Sequence, residues 1–307
     1  AIYGNRGANG VIVITTKNGR GQESFIEADV NVGSDMALLP RYDVIKSPEQ
    51  YAGLAWEGLY NYAQIIGGYT NEQATTYANG QIVSAGAGKL NIWNVTNGSE
   101  LIDPATRTVL SSATRKFDPE NWEDYAFQNS TRTDVNVKFG GSSDKTNYFT
   151  SYGYLGDKGY SINSDFERFS ARVNMDHKVK PWLNVGLNLN LSKSERNNNG
   201  QSEDSGSIFW FVDNIPSIYP LFTRNADGSK IENTIYGGYE FDYGQNRRFG
   251  ALTNSIADAT YGVDRHNRSE LNGRGYLNFN IVDGLTFENS FGYQYYNNNY
   301  VSKNDKF

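Results

Sequence analysis

Alternation of apolar and polar residues at every second position is the feature that most constrains the fold of this chain. Such a period places one set of side chains on each face of a β-strand. In residues 183–191, leucine or valine at the odd positions alternates with asparagine or glycine at the even positions. The same pattern recurs in residues 24–33, 132–139, 146–155, 169–177, 271–281 and 285–295. It predicts seven strands, several about as long as a strand that crosses a bilayer.

The connections between these strands alternate between long and short. The long or medium ones are residues 34–131, 156–166 and 192–269, and the short ones are 140–145, 179–182 and 282–284. Outer-membrane barrels keep this parity because their periplasmic turns are short and their extracellular loops are long. A soluble β-sandwich has no physical reason to keep it. The sequence therefore predicts an all-β, antiparallel transmembrane β-barrel with long extracellular loops at 34–131 and 192–269.

The composition agrees with a strand-rich chain and excludes other classes. Of the 307 residues, 14% are aromatic, with 22 Tyr and 32 Gly, which favour strands and turns. Cysteine is absent, so no disulfide or thiol chemistry is expected, and the net charge of −6 argues against a nucleic-acid-binding protein. No apolar run is long enough for a transmembrane helix, but barrel strands place apolar residues only at alternate positions.

One helix is predicted inside the first long connection. Ser47 precedes Pro48 and Glu49, as at a capped helix start, and apolar residues follow at helical spacing up to Tyr62. Two interpretations remain open. The helix either packs in the mouth of a barrel or against a partner, or it only fills out a long loop.

The glycine-rich opening, residues 1–19, combines a tight turn with an apolar strand at 11–14. It has no G-x-x-x-x-G-K-[ST] pattern, so a phosphate site is not expected. The segment resembles the end of the plug domain in SusC/RagA-type TonB-dependent transporters. The residues that carry this plug motif are Tyr3, Gly4, Arg6, Gly7 and Gly10.

The resemblance continues along the chain outside the two longest loops. It is carried by residues 121–124, 139–146, 152–155 with Gly159, 165–170, 182–186 and 189–192. It implies a barrel of about 22 strands with a plugged lumen. Residues 1–20 are then expected to end the plug domain and residues 21–307 to form the first part of the barrel, within a parent about three times as long.

The function implied by this resemblance is TonB-dependent active import of a large polar nutrient, glycan or oligopeptide, across the outer membrane. The implied partners are a SusD-like lipoprotein lid, TonB with its inner-membrane motor upstream of residue 1, outer-membrane lipid, and a second transporter–lid pair. The implied host is a Gram-negative bacterium of the Bacteroidota. A barrel-anchored adhesion or assembly scaffold is the alternative, and a soluble lectin is disfavoured by the loop parity.

Candidate contact residues are mostly aromatic or lie on the polar strand faces. Trp182, at a short turn, is expected at the membrane interface, with an ordinary strand-end position as the alternative. Aromatic loop residues are expected to touch ligand or partner, although packing of the loop on itself also explains them. They are Phe209, Trp210, Phe211, Tyr219 and Tyr236. The residues expected to line a polar lumen are Asp134, Asn136, Lys138, Arg172, Asn188, Asn190 and Arg274.

No catalytic constellation is evident in the sequence. His177 and His266 lie far apart, and neither has the spacing of a metal site. The adjacent carboxylates of Glu203 and Asp204 are expected to be solvated, and residues 225–228 are expected to form a turn. We therefore predict no enzyme activity, no metal and no cofactor.

Overall fold

The computed structural model of the chain describes residues 10, 17, 19, 21, 23–36, 42–84, 91–199, 206–245, 247 and 249–304. Seven strands form the main sheet: β1 (Phe25–Gly33), β4 (Thr131–Ser142), β5 (Thr146–Lys158), β6 (Asp165–Lys180), β7 (Leu183–Asn197), β8 (Val263–Val282) and β9 (Leu285–Lys303). The connections contain α1 (Pro48–Ile65), α2 (Asn71–Ser84), β2 (Ile102–Asp103), β3 (Thr108–Val109), α3 (Glu123–Ala126), α4 (Ile208–Asn214) and α5 (Ser255–Tyr261). Among these described helices, none is long and apolar enough to cross a membrane.

The main sheet has the order β1-β4-β5-β6-β7-β8-β9, and every pair in it is antiparallel. All seven predicted strands are confirmed, but β6 to β9 run well past their predicted ends. The predicted long loop at 192–269 is wrong at both ends, because β7 continues to Asn197 and β8 already begins at Val263. The added residues of β7 (192–197) and nearly all those of β8 (263–270) are polar on both faces of the sheet. The backbone hydrogen bonds between the strands therefore continue where the apolar alternation has stopped.

The strand register gives the sheet one apolar and one polar face. One row of directly paired residues on the apolar face is Ala28, Val137, Tyr152, Ala171, Leu191, Leu271 and Tyr295. The neighbouring row on the opposite face is Glu27, Lys138, Ser151, Arg172, Asn190, Asn272 and Gln294. Because side chains alternate with period two, this single register sorts the whole sheet into two chemically different surfaces.

The described residues of the β1–β4, β5–β6 and β7–β8 connections pack together at one end of the sheet, and we call them the loop cap. The loop cap has two apolar clusters. One contains Ala52, Trp56, Ala78, Ile82, Ile92, Trp93, Leu101, Ile102, Ile218 and Tyr219. The other contains Trp122, Ala126, Ile208, Phe211, Val212, Leu221, Phe222, Ile256 and Ala259. Each cluster draws residues from both long connections, so the two connections share one folded structure.

Helix α1 begins as predicted and belongs to the loop cap. The Ser47 hydroxyl accepts a hydrogen bond from the Gln50 backbone N–H at 3.3 Å. Trp56 is buried against α2, and its indole N–H donates to Asn79 Oδ1 at 2.8 Å. Helix α2 was not predicted, because its sequence has no continuous apolar stripe. The packing of α1 on α2 favours the interpretation in which α1 fills out the long loop.

Candidate functional site

A groove of about 740 Å³ lies on the polar face of the sheet, near the loop cap. Strands β6, β7 and β8 supply most of its walls, at the ends where they enter the long connections. The lining residues are Asn136, Ser151, Phe166, Arg168, Ser170, Ala171, Arg172, Asn190, Ser192, Ser194, Arg196, His266, Arg268, Glu270, Tyr296 and Asn298. The groove is rich in arginine.

The seven residues expected to line a polar lumen share this face of the sheet. Arg172 pairs with Asn190 across β6 and β7, and Asn188 pairs with Arg274 across β7 and β8. Asn136, Arg172 and Asn190 line the groove itself. Lys138 forms an ion pair with Asp29 and lies 3.7 Å from a Glu27 carboxylate oxygen, so its single charge offsets one of the two carboxylates of β1.

Residues 17 and 19 lie against the sheet near the short turns. The Asn174 side chain is buried on the polar face and donates to the Lys17 carbonyl at 2.7 Å. Gly19 has φ of +70°, and a Cβ at this position would collide with the Tyr148 carbonyl oxygen, so only glycine fits there. Lys17, within the opening segment, therefore lies against the polar face of the strands.

The plug motif itself falls largely on residues that are not described. Tyr3, Gly4, Arg6 and Gly7 lie outside the described residues. Gly10 is described and has φ of +100°, a left-handed value that favours glycine. This agrees with the tight turn predicted for the glycine-rich opening.

The aromatic residues of the second long connection divide into two groups. Phe209 and Trp210 are each 41% exposed, and Tyr236 is also exposed. Each of these three has one ring face against another ring, as for Tyr236 on Tyr261 at 4.5 Å between centroids. Phe211 and Tyr219, in contrast, are buried in the two apolar clusters. For these two residues the structure favours the alternative explanation, packing of the loop on itself, because their side chains are closed to solvent.

Trp182 lies at the short turn between β6 and β7 and is 53% exposed. Its ring stacks on Phe279 at 6.3 Å, and Phe279 lies 6.3 Å from Phe287 on the next strand. Phe279 and Phe287 belong to the apolar face by their pairing with Leu183. A row of three aromatic rings thus follows the short-turn end of the sheet, and its position at a membrane interface stays a prediction.

A buried ion cluster joins the two long connections. Glu120 forms an ion pair with Arg224 and lies 3.1 Å from Lys230 Nζ, and its second oxygen accepts from the Leu221 backbone N–H at 3.1 Å. Burial acts to raise the pKa of Glu120, but the Lys230 hydrogen bond and the Arg224 charge hold it below its ordinary value. Sequence reasoning missed this cluster, since Glu120 and Arg224 are 104 residues apart.

A buried arginine also joins the two apolar clusters. The Arg247 guanidinium carbon lies 5.5 Å from the Trp122 ring, 5.6 Å from Phe211 and 5.9 Å from Tyr219. Its Nε donates to the Gly250 carbonyl at 3.0 Å. Burial lowers the pKa of Arg247, opposed by the charge of Asp242. Cation–π contacts, together with hydrogen bonds to the backbone carbonyls of Gly250, Asp242 and Thr253, hold this desolvated guanidinium.

The two histidines do not form a site together. His177 Nδ1 lies 2.8 Å from Thr146 Oγ1, near a short turn. His266 packs against Tyr300 in the half of β8 nearest the loop cap. Within the described part of the chain, no group of three or more His, Asp or Glu side chains is arranged to hold a metal ion. Residues 225–228 form the expected turn, in which the Gly228 N–H donates to the Asn225 carbonyl at 2.9 Å.

Long antiparallel strands with one apolar and one polar face, short turns at one end and folded loops at the other define the wall of an outer-membrane β-barrel. No protein-family model matches the chain. It is 25% identical to TonB-dependent receptor P3 of Formosa agariphila over 302 residues, which cover 95% of the chain and 23% of that receptor. It is 26% identical to TonB-dependent receptor SusC of Bacteroides thetaiotaomicron over 225 residues, covering 73% of the chain and 17% of SusC.

Solved structures of the RagAB peptide importer share this fold. The closed–closed state matches with a TM-score of 0.60 at 22% identity, over 95% of this chain and 30% of that one. The open–open state matches with a TM-score of 0.58 over the same shares. The sequence and fold similarities together confirm the resemblance to SusC/RagA-type TonB-dependent transporters. The chain spans about a quarter or less of the length of the curated relatives described above.

Proposed function

We propose that the parent protein imports a large polar nutrient, a glycan or an oligopeptide, across the outer membrane in a TonB-dependent manner. The observation that supports this most directly is the hydrogen bond from Asn174 to the Lys17 carbonyl. It holds the end of the opening segment, residues 1–20, against the polar face of the strands. In a closed barrel that face lines the lumen, so the segment would end a plug that blocks the channel.

The polar groove fits such a role for the lumen wall. A hydrated nutrient needs hydrogen-bonding side chains along its path, and the groove offers serine hydroxyls, asparagine amides and guanidinium groups. The apolar face opposite would contact lipid. The relatives are named as receptors, and the solved neighbours include a peptide importer, which supports transport rather than catalysis.

A SusD-like lipoprotein is the partner that we propose for the outer end of the channel, with TonB acting from the periplasm. The loop cap would present a preformed surface to this lid, because its two cores keep it folded. Exposed aromatic side chains at Phe209, Trp210 and Tyr236 would contact the lid or the cargo. A dimer of transporter–lid pairs is the proposed assembly, in the outer membrane of a Bacteroidota bacterium.

The alternative is a surface adhesion or assembly scaffold that the barrel only anchors. An anchor has no need of a segment packed on its polar face, so the Asn174–Lys17 contact favours import. The test is uptake of labelled glycans and peptides by cells with and without the gene, each before and after TonB depletion. Import predicts that uptake of at least one cargo requires both the parent protein and TonB. Surface attachment without any TonB-dependent uptake would establish the scaffold instead.

A further inference from the structure

We propose that the polar groove near the loop cap is a binding site for an acidic oligosaccharide, one that carries carboxylate or sulfate groups along its chain. This deepens the proposed import function and rests on it, because it names the class of cargo. The site is the groove lined by Arg168, Arg172, Arg196 and Arg268 together with His266.

The charge of the groove contrasts with that of the whole chain. Four arginines and one histidine line it, against a single carboxylate, Glu270. The chain as a whole carries a net charge of −6. The chain as a whole is therefore slightly acidic, whereas the groove has an excess of positive charge. A concave surface lined by one sign of charge raises the local concentration of ligands of the opposite sign.

Within the described part of the chain, three of the four guanidinium groups have no hydrogen-bond or ion-pair partner. Arg268 forms an ion pair with Glu270 and lies 4.7 Å over the Tyr296 ring. Among the described residues, no hydrogen bond or ion pair involves the side chains of Arg168, Arg172 or Arg196. Other arginines of the chain, such as Arg132 with Asp157 at 2.9 Å, are paired. Fixed positive charges of the same sign side by side repel each other until an anion neutralises them.

The strand register places the arginine side chains of the groove around Ser194. Ser194 is directly opposite Arg168 on one side and Arg268 on the other. Arg196 lies two residues from Ser194 on the same face, which puts it at the diagonal distance of about 7–8 Å from Arg168 and from Arg268. Arg172 lies four residues from Arg168 along β6, about 13 Å further into the sheet. The charges thus form a track that leads from the loop cap along the polar face.

The chemistry of these groups suits carboxylate and sulfate. A guanidinium donates two parallel hydrogen bonds to the two oxygens of such a group, and it stays charged at every physiological pH. Serine hydroxyls and asparagine amides between the arginines donate to the remaining oxygens. Ser170 lies between Arg168 and Arg172 along β6, Asn190 is directly opposite Arg172, and Asn298 is directly opposite Arg268.

The lining favours an acidic glycan over an acidic peptide. Its apolar side chains are the rings of Phe166 and Tyr296 and the small Ala171, so it offers flat ring faces and not a pocket lined by large aliphatic side chains. Sugar rings present hydroxyls on their edges and C–H faces that pack on aromatic rings. Phe166 and Tyr296 supply two such rings within the groove.

The test compares the full-length parent with two triple variants of equal charge change. The groove variant is Arg168→Gln, Arg172→Gln and Arg196→Gln. The control variant is Arg107→Gln, Lys193→Gln and Arg265→Gln; Arg107 lies in the loop cap, and the other two lie on the side of the sheet opposite the groove. Binding is measured by calorimetry in detergent with oligogalacturonate, sulfated galactan oligomers, neutral malto-oligosaccharides and glutamate-rich peptides. Each titration is run at low and at high salt.

We expect acidic oligosaccharides to bind the parent with a salt-sensitive affinity, because the contacts are ionic and exposed. The groove variant should lose about tenfold or more of this affinity, since several charge-assisted hydrogen bonds are removed. The control variant should bind within about twofold of the parent. Preference for oligogalacturonate or for sulfated galactan would assign carboxylate or sulfate as the recognised group.

Equal binding of acidic oligosaccharides by the parent and the groove variant overturns the proposal, as does tighter binding of glutamate-rich peptides than of acidic sugars. The same proteins are also tested for TonB-dependent uptake in cells. Uptake of only neutral cargo would leave the import function in place and refute the acidic-glycan site. Absence of uptake for every cargo would refute the import function itself.

Discussion

The sheet and the loop cap are stabilised in different ways, although one chain builds both. In the loop cap, large side chains such as Trp56 and Leu221 are buried in two apolar clusters. In the sheet, Ile26 is 76% exposed and Phe291 is 72% exposed. Backbone hydrogen bonds between strands hold the sheet together, and its apolar face remains uncovered by the described residues.

This difference shows which surroundings each region requires. The loop cap removes its apolar surface from water by itself, as a water-facing structure must. The sheet leaves a continuous apolar face that suits lipid, where every backbone group must be paired within the protein. Two buried links, the Glu120 cluster and Arg247, join the long connections into one cap above the sheet.

The largest effect should come from a buried tryptophan of the loop cap. Trp56→Ala removes a side chain that is 1% exposed and leaves Asn79 Oδ1 without its donor. We expect the free energy of opening of the loop cap to fall by about 3–5 kcal/mol. Native-state amide hydrogen exchange on the full-length protein measures this free energy directly.

The matched control for this change is Trp182→Ala in the sheet. Trp182 is half exposed and stacks on Phe279, so its loss leaves no cavity in the loop cap. Exchange in the loop cap should stay unchanged in this variant. Equal acceleration of loop-cap exchange by both variants would mean that the sheet and the cap unfold as one unit, and the contrast between them would be lost.

A smaller effect is expected from a charge on the apolar face of the sheet. Leu189→Arg places a guanidinium in the apolar row, whereas Ser192→Arg places the same group on the polar face of the same strand, directly opposite Glu270. We expect the first to reduce the stability of the membrane-embedded protein by about 2–4 kcal/mol and the second to be tolerated. Folded yield in outer membranes, scored by heat-modifiable gel mobility, compares the two. Similar yields would show that the faces are assigned wrongly.

The smallest of the three effects concerns the buried ion cluster of Glu120, Arg224 and Lys230 inside the loop cap. Glu120→Gln removes the negative charge beside Arg224 and Lys230, while the amide oxygen still accepts from Leu221. We expect a loss of about 2 kcal/mol in the opening free energy of the cap, because two partly buried cations lose their counter-ion. Asp157→Asn, which breaks the more exposed pair with Arg132, should cost under about 1 kcal/mol. An equal loss of opening free energy in the two variants would argue against a stabilising role for the buried ion cluster.

The stability of the loop cap should also depend on pH through the buried Glu120 carboxylate. The pKa of Glu120 in the folded cap lies below its ordinary value of 4.5, so its ionised form stabilises the fold at every pH above that value. This stabilisation is lost as the pH falls from 4.5 through the folded pKa. The opening free energy of the parent should therefore decrease on acidification in that window, and the Glu120→Gln variant should lack this part of the decrease. If the opening free energies of the parent and of the Glu120→Gln variant fell in parallel with pH, this prediction would be wrong.

The sheet was predictable because its information is local. Alternation in residues 183–191 specifies a strand and both of its faces without knowledge of any partner. The helix after Ser47 was likewise visible from its cap and spacing. The ends of β7 and β8 were missed because polar residues on both faces carry no periodic signal. Helix α2 was missed for the same reason.

The candidate site was predictable only in part. Asn136, Arg172 and Asn190 were assigned to the correct face from alternation alone, and all three line the groove. Arg168, Arg196 and Arg268 were not singled out, because they lie on three different strands. Only the register brings them around Ser194. Phe211 and Tyr219 were candidates for ligand or partner contact because they are loop aromatics, but tertiary packing buries them.

The sequence by itself thus determined the strands, the two faces of the sheet, the short turns and the first helix, since each depends on residues within a few positions of one another. Tertiary structure decided how the long connections pack on each other and which aromatic side chains stay exposed. It also decided which arginines lie together in the polar groove. Those features depend on contacts between residues about a hundred positions apart, as between Glu120 and Arg224 or Trp122 and Tyr219. No local pattern encodes such contacts, because their free energy arises only when the strands have set the loops side by side.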